Sequence, residues 1–226
     1  MSDHLNPFNR ESEELATYQR HVYDDTGVLR NLAGIRDQTE LDMFERRATS
    51  RRSELPLPDE ARQFSFDGFK AIHRHIFQDV YEWAGEVRTY TTGRNEAPFA
   101  RPEHIEREAR KLFEKLNGEH NFAGYSKPKF AEKSAELICE INAIHPFVDG
   151  NGRTMRRFLR HLAKENGYQF ELASTDKDQW NEASRVGFLA FDHEPMRALI
   201  QARLIERERA HEFTGLWAER DQDLER

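Results

Sequence analysis

The segment His-Pro-Phe-Val-Asp-Gly-Asn-Gly-Arg-Thr-Met-Arg, residues 145–156, constrains this chain more than any other stretch. Before it, apolar residues recur near the helical period over residues 129–144, and after it the same period resumes over residues 155–163. Gly167 is a plausible stop for the second helix. We therefore expect a tight loop between two helices, with Asn151 as the N-cap of the second one.

Several residues of this loop suit an anionic ligand. Gly150 and Gly152 allow a sharp turn and a close approach of bare backbone N–H groups to a ligand. A helix N-terminus carries unsatisfied donors and partial positive charge, which attract phosphate. Arg153 and Arg156 share a face of the first helical turn, and guanidinium groups match phosphate oxygens well. The loop is thus predicted to bind phosphate.

Two further side chains add chemistry to this phosphate loop. Asp149 would repel phosphates unless a cation lay between them, and Mg²⁺ is usually held by one or two carboxylates plus substrate phosphates. His145 can accept a proton near neutral pH. A calcium loop is excluded because Arg153 stands where the next oxygen ligand belongs, and the chain has no Walker A pattern. The residues predict a phosphate site, a metal anchor and a general base.

Composition limits the classes of protein to which the chain can belong. Of its 226 residues, 37% are hydrophobic and 33% charged, which is enough for one domain with a substantial core. The net charge of −7 argues against a dedicated nucleic-acid binder. The single cysteine, Cys139, lies among apolar residues, and we expect a buried, inert thiol. Without a signal-peptide pattern or an apolar run of about 18 residues, we expect a cytoplasmic protein that binds no membrane.

The chain divides into three parts. Residues 1–25 are predicted to be a flexible or docking arm, residues 26–205 the main domain, and residues 206–226 a charged helix or tail. Within the domain, Asp37 is predicted to cap a helix that ends near Glu54. A proline-initiated helix is expected from Pro102, and another from Pro195 through Leu204.

A β-hairpin is predicted in the middle of the chain. Residues 87–92 alternate β-branched and aromatic side chains, a turn signal follows, and residues 97–100 form the return arm. Upstream, His73 and His75 are two positions apart and would diverge on a helix, so we do not interpret them as metal ligands.

Residues 145–156 resemble the signature of the Fic family, His-x-Phe-x-Asp/Glu-Gly-Asn-Gly-Arg-x-x-Arg, at every defined position. The resemblance extends from about residue 23 to about residue 198, with weaker support from residues 28–35, 73–77 and 81–88. It implies an all-α Fic fold with a short β-hairpin flap at about residues 87–100. It also implies a protein adenylyltransferase, a nucleotidyltransferase that moves AMP from ATP to a hydroxyl side chain of a target protein.

The resemblance also implies roles for individual residues. His145 would deprotonate the target hydroxyl, and Asp149 would hold Mg²⁺ on the phosphates. The flap would bind an extended target segment by strand addition. The nucleotide and phosphate set is Phe147, Gly150, Asn151, Gly152, Arg153 and Arg156, with Phe147 as its buried anchor, and the flap set is Thr91, Thr92, Gly93 and Arg94.

Members of this family are commonly inhibited by a helix carrying Ser/Thr-x-x-x-Glu-Gly/Asn, whose glutamate pairs with the arginine that corresponds to Arg156. Residues 50–54 and 92–96 have the spacing but not the full pattern. By elimination we expect a separate small antitoxin protein, which makes this chain a toxin. The resemblance suggests a topoisomerase subunit as target, or a host small GTPase if the chain is a secreted effector.

Two other functions remain open from the sequence. One is a Fic-fold enzyme with another nucleotide donor, phosphocholine transfer, or removal of AMP as its reaction. The other is a nucleotide-binding module without catalysis. Direct binding of nucleic acid is not expected.

Overall fold

A computed structural model describes residues 17–94 and 97–206 of the chain. Residues 1–16 of the predicted arm and residues 207–226 of the predicted tail lie outside this range. The helices are α1 (Gln38–Glu54), α2 (Phe66–Phe77), α3 (Pro102–Gly118), α4 (Lys127–Ile144), α5 (Asn151–Glu165), α6 (Lys177–Leu189) and α7 (Glu194–Arg203). The strands are β1 (Gly93–Arg94), β2 (Ala97–Pro98), β3 (Tyr168–Phe170) and β4 (Leu204–Glu206).

Helix α4 is the centre of the helical core. It contacts α3, α5, α6 and α7, while α2 packs on α1 and α5. Its sequence explains this position, because apolar residues lie on several of its sides and are buried from Phe130 to Ile144. The mainly helical fold with a short antiparallel hairpin confirms the predicted fold class. None of the described helices is long and apolar enough to cross a bilayer.

The beginnings of the helices agree with the cap signals in the sequence. Asp37 caps α1 by accepting the N–H of Glu40 at 2.8 Å, as predicted. Prolines open α3 and α7 as predicted, where the missing N–H costs nothing. The α5 cap differs from the prediction: Gly150 holds that position with φ of 79°, and Asn151 is the first helical residue.

The flap is shorter than the sequence pattern predicted. Pairing is limited to Gly93 with Pro98 and Arg94 with Ala97, and residues 87–92 form no strand. Instead, the Arg88 N–H donates to the Pro146 carbonyl at 2.9 Å. The alternating pattern therefore reflects a segment that packs against the loop after α4, not the first arm of a sheet.

The structure contains a second strand pair that the sequence pattern does not predict. Strands β3 and β4 are antiparallel, with Phe170 opposite Leu204 and Tyr168 opposite Glu206. The sequence pattern had extended the last helix through Leu204. Leu204 is instead a buried strand residue, because α7 ends at Arg203 and the chain returns along β3.

Two smaller features concern the arm and the cysteine. Residues 17–25 pack onto the domain, with Tyr18 and Val22 buried and Val22 bridged to Leu29.

The Cys139 thiol is buried, and burial raises its pKa to about 12, as expected for an inert thiol.

Candidate active site

The predicted loop between two helices is present, running from the end of α4 to the start of α5. His145 ends α4 in the left-handed region, with φ of 48°. At the other end, a Cβ added to Gly150 would lie 2.3 Å from the ring of Phe77. Only glycine satisfies both the positive φ and the close packing at position 150. The loop is therefore held in one shape by its neighbours in α2.

Two residues assigned to the nucleotide-binding set stabilise the loop from inside. Phe147 is fully buried and stacks on the ring of Phe69 at 5.7 Å. The Asn151 side chain is buried, accepts the Phe147 N–H at 3.0 Å and donates to its carbonyl at 2.9 Å. Both side chains are thus used within the protein, and the assignment of Phe147 and Asn151 to the nucleotide-binding set stays a prediction.

His73 supports the loop from α2. Its Nδ1 accepts the Gly85 N–H at 2.8 Å, which leaves the proton on Nε2. Nε2 donates to the Asp149 carbonyl at 2.9 Å, and the ring stacks on Phe147 at 4.0 Å. Burial lowers the pKa of His73 to about 4, so the ring is neutral and keeps this tautomer. His73 is thus structural, and the described residues include no metal-binding cluster.

His145 presents a neutral imidazole at the first end of the loop. Its ring is partly exposed and stacks on Phe99, and its buried Nδ1 has no partner of normal hydrogen-bond geometry among the described residues. Burial, followed by the charges of Arg88 and Arg94, lowers its pKa to about 3 against the opposing effect of the Asn142 carbonyl. The ring is therefore unprotonated near neutral pH, as a general base must be.

Arg88 connects the base of the flap to the end of α4. Its side chain is 1% exposed and donates to four backbone carbonyls. Two of these belong to Ile144 and His145, at 3.1 and 2.7 Å. The other two belong to Tyr90 and Ala100, at 2.7 and 2.5 Å, on either side of the flap. One guanidinium therefore fixes the flap relative to the predicted base.

The two arginines of the loop differ in their partners. Arg153 Nη1 lies 2.6 Å from Glu45 Oε1 of α1, and Nη2 lies 3.4 Å from Asp149 Oδ2. Although burial favours the neutral form, Asp149 and Glu45 together raise the pKa of Arg153. Its charge is thus already compensated within the protein.

Arg156 has no carboxylate within ion-pair distance in the part of the chain that the structure describes. Its guanidinium lies 5.7 Å from the centroid of the buried Trp180 ring. Burial, together with Arg153 and Arg160, lowers its pKa to about 10. A cationic group in this position is stabilised by an incoming anion.

The space beside Arg156 is a basic cavity of about 230 Å³ between α1 and α5. No acidic side chain lines it among the described residues. The buried Nε of Arg157 has no hydrogen-bond partner there, although its Nη2 donates to the Leu55 carbonyl at 3.2 Å. The lining residues are Thr49, Ser50, Ser53, Arg153, Arg156, Arg157, Arg160, Phe170 and Leu172. Such a lining favours a phosphate or a carboxylate.

Asp149 is the loop residue suited to a metal ion. Its carboxylate is partly exposed, at 26%, directly before the N-terminus of α5. One carboxylate does not make a metal site by itself, but Mg²⁺ commonly takes its other ligands from phosphates and water. These residues fit a Mg²⁺ ion that arrives with a nucleotide.

The flap residues Thr91, Thr92, Gly93 and Arg94 are all partly exposed. They directly follow Tyr90, whose carbonyl accepts a hydrogen bond from Arg88. Gly93 is required for the hairpin, because an added Cβ would lie 2.4 Å from the Ala97 carbonyl oxygen. The flap residues are thus positioned near the His145 end of the loop through Arg88 and Phe99.

Sequence reasoning missed several residues of this site. Arg88 lies in the segment of residues 81–88 that carried part of the family resemblance, so a signal was available. Phe99 lies in the predicted return arm. Glu45 gave no signal, because nothing distinguishes it from the other acidic residues until α1 packs beside α5.

Comparison with known proteins agrees with this geometry. The model of the Fic/DOC family matches residues 63–163. The chain is 43% identical to "Probable protein adenylyltransferase y4lH" of Sinorhizobium fredii over 180 residues, covering 79% of this chain and 92% of that protein. It is 33% identical to "Probable protein adenylyltransferase Fic" of Escherichia coli K12, covering 74% of this chain and 83% of that protein.

A solved structure shares the fold. BepC of Bartonella tribocorum, determined with bound AMPPNP, superimposes with a TM-score of 0.77 at 25% identity, covering 85% of this chain and 99% of that one. The names of the relatives confirm the predicted enzyme class, a nucleotidyltransferase. Site geometry, family match and relatives agree: this chain belongs to the Fic/DOC family.

Proposed function

We propose that this chain transfers AMP from ATP to a hydroxyl side chain of a target protein, and that a small partner protein holds it inactive. The observation that carries the proposal is the basic cavity at Arg156, one helical turn into α5, with a neutral imidazole at the other end of the same loop. A triphosphate placed between them has its terminal phosphates at the arginines and its α-phosphate toward His145.

His145 takes the proton of the target hydroxyl as the oxygen attacks the α-phosphorus. The oxygen–phosphorus bond forms on one side while the bond to the β-phosphate breaks on the other, and pyrophosphate leaves. Arg156 and the first-turn N–H groups of α5 stabilise the charge on the departing phosphates. Asp149 would hold Mg²⁺, which neutralises phosphate charge when bound. Catalysis here consists of positioning and charge stabilisation.

A labelling experiment tests this reaction. The purified chain is incubated with Mg²⁺, cell lysate and ATP labelled on either the α- or the γ-phosphate. Lysate without the chain gives the background from its own kinases. Above this background, we expect the chain to add protein labelling from the α-phosphate only, and this labelling to be lost with His145→Ala. Chain-dependent labelling from the γ-phosphate would indicate a kinase instead.

The same experiment distinguishes the alternative functions. Labelling that appears only with another nucleotide, or only with a phosphocholine donor, would show that the donor is not ATP. Loss of label from a protein already carrying AMP would indicate the reverse reaction. Nucleotide binding without any labelling would indicate a binding module.

The proposed partner follows from Arg156. Because no described carboxylate pairs with it, an inhibitor that uses this arginine must supply an acidic side chain from outside the described residues, and we propose that a partner protein supplies it. Glu54, the intramolecular candidate on α1, is exposed and makes no ion pair with Arg156. We expect expression of the chain alone to arrest growth and expression of the His145→Ala variant to be harmless.

The outcome of expression also bears on where the chain acts. Growth arrest of the producing cell supports action in the cytoplasm. Harmless expression, with labelling confined to host-cell lysate, would favour a secreted effector; BepC is a VirB-translocated effector protein of Bartonella.

The proposed target binds the flap as an added strand. Main-chain pairing beside Thr91–Arg94 would present a hydroxyl to His145 with little demand on target sequence. Gly93→Ala should raise the KM for the target and leave ATP affinity unchanged, because its Cβ displaces the opposing strand. A purified bacterial type II topoisomerase subunit is the first target to test. A KM unaffected by Gly93→Ala would exclude flap binding.

A further inference from the structure

Arg153 is held unequally by two carboxylates. Its Nη1 lies 2.6 Å from Glu45 on α1, whereas its Nη2 lies 3.4 Å from Asp149. The guanidinium also packs 4.5 Å from the centroid of the Phe77 ring, which limits its movement toward α2. The shorter and stronger bond is thus the one made to a different helix, not the one made within the loop region.

Glu45 is itself fixed by the core. Tyr81 donates its hydroxyl hydrogen to the second oxygen of Glu45, and burial, followed by the Glu45 charge, raises the pKa of Tyr81 so that this hydrogen stays in place. The Tyr81 ring is buried and stacks on Trp83 at 4.3 Å. Glu45 therefore has a defined position, in which one oxygen serves Tyr81 and the other serves Arg153.

Without Glu45, Arg153 would keep Asp149 as its carboxylate partner among the described residues. Asp149 and Arg153 are four residues apart, a spacing at which opposite charges pair readily at a helix N-terminus. A full ion pair would place a guanidinium on the oxygens that Mg²⁺ needs. We propose that Glu45 is a positioning residue, which draws Arg153 toward α1 and so limits its competition with the metal for Asp149. This inference rests on the proposed binding of a metal–nucleotide complex.

The charges of the cluster lead to a specific expectation. Glu45, Asp149 and Arg153 together carry a net charge of −1, which favours a divalent cation. Glu45→Gln raises this net charge by one and releases Arg153 toward Asp149. Metal affinity should then fall by about 10- to 100-fold, the usual loss when a residue that orients a metal ligand is removed. Affinity for metal-free nucleotide should not fall, because the site becomes more positive.

The test measures binding, not turnover. The affinity of the full chain for a non-hydrolysable ATP analogue is determined with and without Mn²⁺. The affinity with Mn²⁺ divided by the affinity without it reports the metal contribution. We expect Glu45→Gln to lower this ratio by about 10- to 100-fold and Tyr81→Phe to lower it less. Glu40→Gln, which removes an exposed carboxylate from the same helix, should leave it unchanged.

A double-mutant comparison separates positioning from general structural damage. In an Asp149→Asn background, Glu45→Gln should have no further effect on the ratio, because the ligand that Glu45 protects is gone. An unchanged ratio in Glu45→Gln overturns the inference. A parent protein whose affinity for the ATP analogue does not depend on Mn²⁺ overturns it as well. If the ratio behaves as expected but no AMP is transferred, the proposed function fails while the inference stands.

Discussion

The imidazole of His145 lies flat against the phenyl ring of Phe99, with ring centroids 3.9 Å apart and planes 2° from parallel. Phe99 is buried directly after β2 and contacts Phe188 of α6 at 4.7 Å. The plane of the proposed base is therefore set by a residue at the foot of the flap, which is itself fixed by α6.

Phe99→Leu should slow AMP transfer more than it weakens nucleotide binding. Leucine keeps apolar contact but loses the flat surface, so the imidazole can rotate, and a small misplacement costs about 10- to 100-fold in rate. Single-turnover transfer rates and nucleotide affinity measure the two effects. Phe191→Leu, at an aromatic residue that is 84% exposed, is the matched control. Equal transfer rates in both variants would show that the stack has no role in positioning.

His145 should remain neutral in the nucleotide-free protein from about pH 5 to 8, because its pKa lies near 3, below its ordinary value of 6.5. Burial, Arg88 and Arg94 lower it, while the Asn142 carbonyl and Asp149 oppose them. A bound triphosphate adds negative charge and should raise this pKa. NMR titration of the ring, with His145→Gln to assign the signal, checks both statements. A midpoint near the ordinary value without nucleotide would contradict the first.

Arg156→Ala should weaken ATP binding by about 10- to 100-fold, the loss expected for hydrogen bonds to a charged group. AMP binding should change little, because AMP lacks the β- and γ-phosphates. Calorimetric titration with each nucleotide makes the comparison. Arg107→Ala removes an exposed arginine of α3 and serves as control. Equal losses for ATP and AMP would place Arg156 away from the terminal phosphates.

The buried His73 should make stability depend on pH. Its pKa is about 4 in the folded protein and 6.5 when exposed, so the unfolded chain binds the extra proton between these values. Stability should fall as pH decreases from about 7 to 5, by about 2 kcal/mol from this residue. His145 contributes in the same direction.

Denaturant unfolding of the parent and of His73→Gln at both pH values isolates this contribution. Glutamine can still donate to the Asp149 carbonyl but does not titrate, so the variant should be less stable at pH 7 and lose less on acidification. The same loss in both proteins would show that His73 is not the source.

The sequence was informative wherever one short pattern determines structure. The helix–loop–helix around residues 145–156, the Asp37 cap and the proline-initiated helices all follow from local rules. His145 and Asp149 lie in this loop and Arg156 lies in α5 beside it, and their chemical roles stay predictions. The N-cap of α5 is Gly150 and not the predicted Asn151, because the loop needs a positive φ where it packs against Phe77. Gly150 and Phe77 are far apart in the sequence, so their contact could not be predicted from it.

What the sequence could not predict depends on packing between distant segments. Glu45 meets Arg153 across more than a hundred residues, and Arg88 meets Ile144 and His145 only after α4 is in place. The alternation of residues 87–92 suggested a strand because buried irregular backbone and half-buried strands share that pattern. The pairing of β3 with β4 likewise depends on the packing of α6 and α7, which lie between them in the chain.

The most direct test of the account is mass spectrometry of the lysate protein that the chain modifies in the presence of ATP and Mg²⁺. We predict one AMP group on a serine, threonine or tyrosine hydroxyl, present with the parent chain and absent with His145→Ala, although that variant still binds ATP. A phosphate alone on the target, or equal AMP modification by the His145→Ala variant, would contradict the central claim.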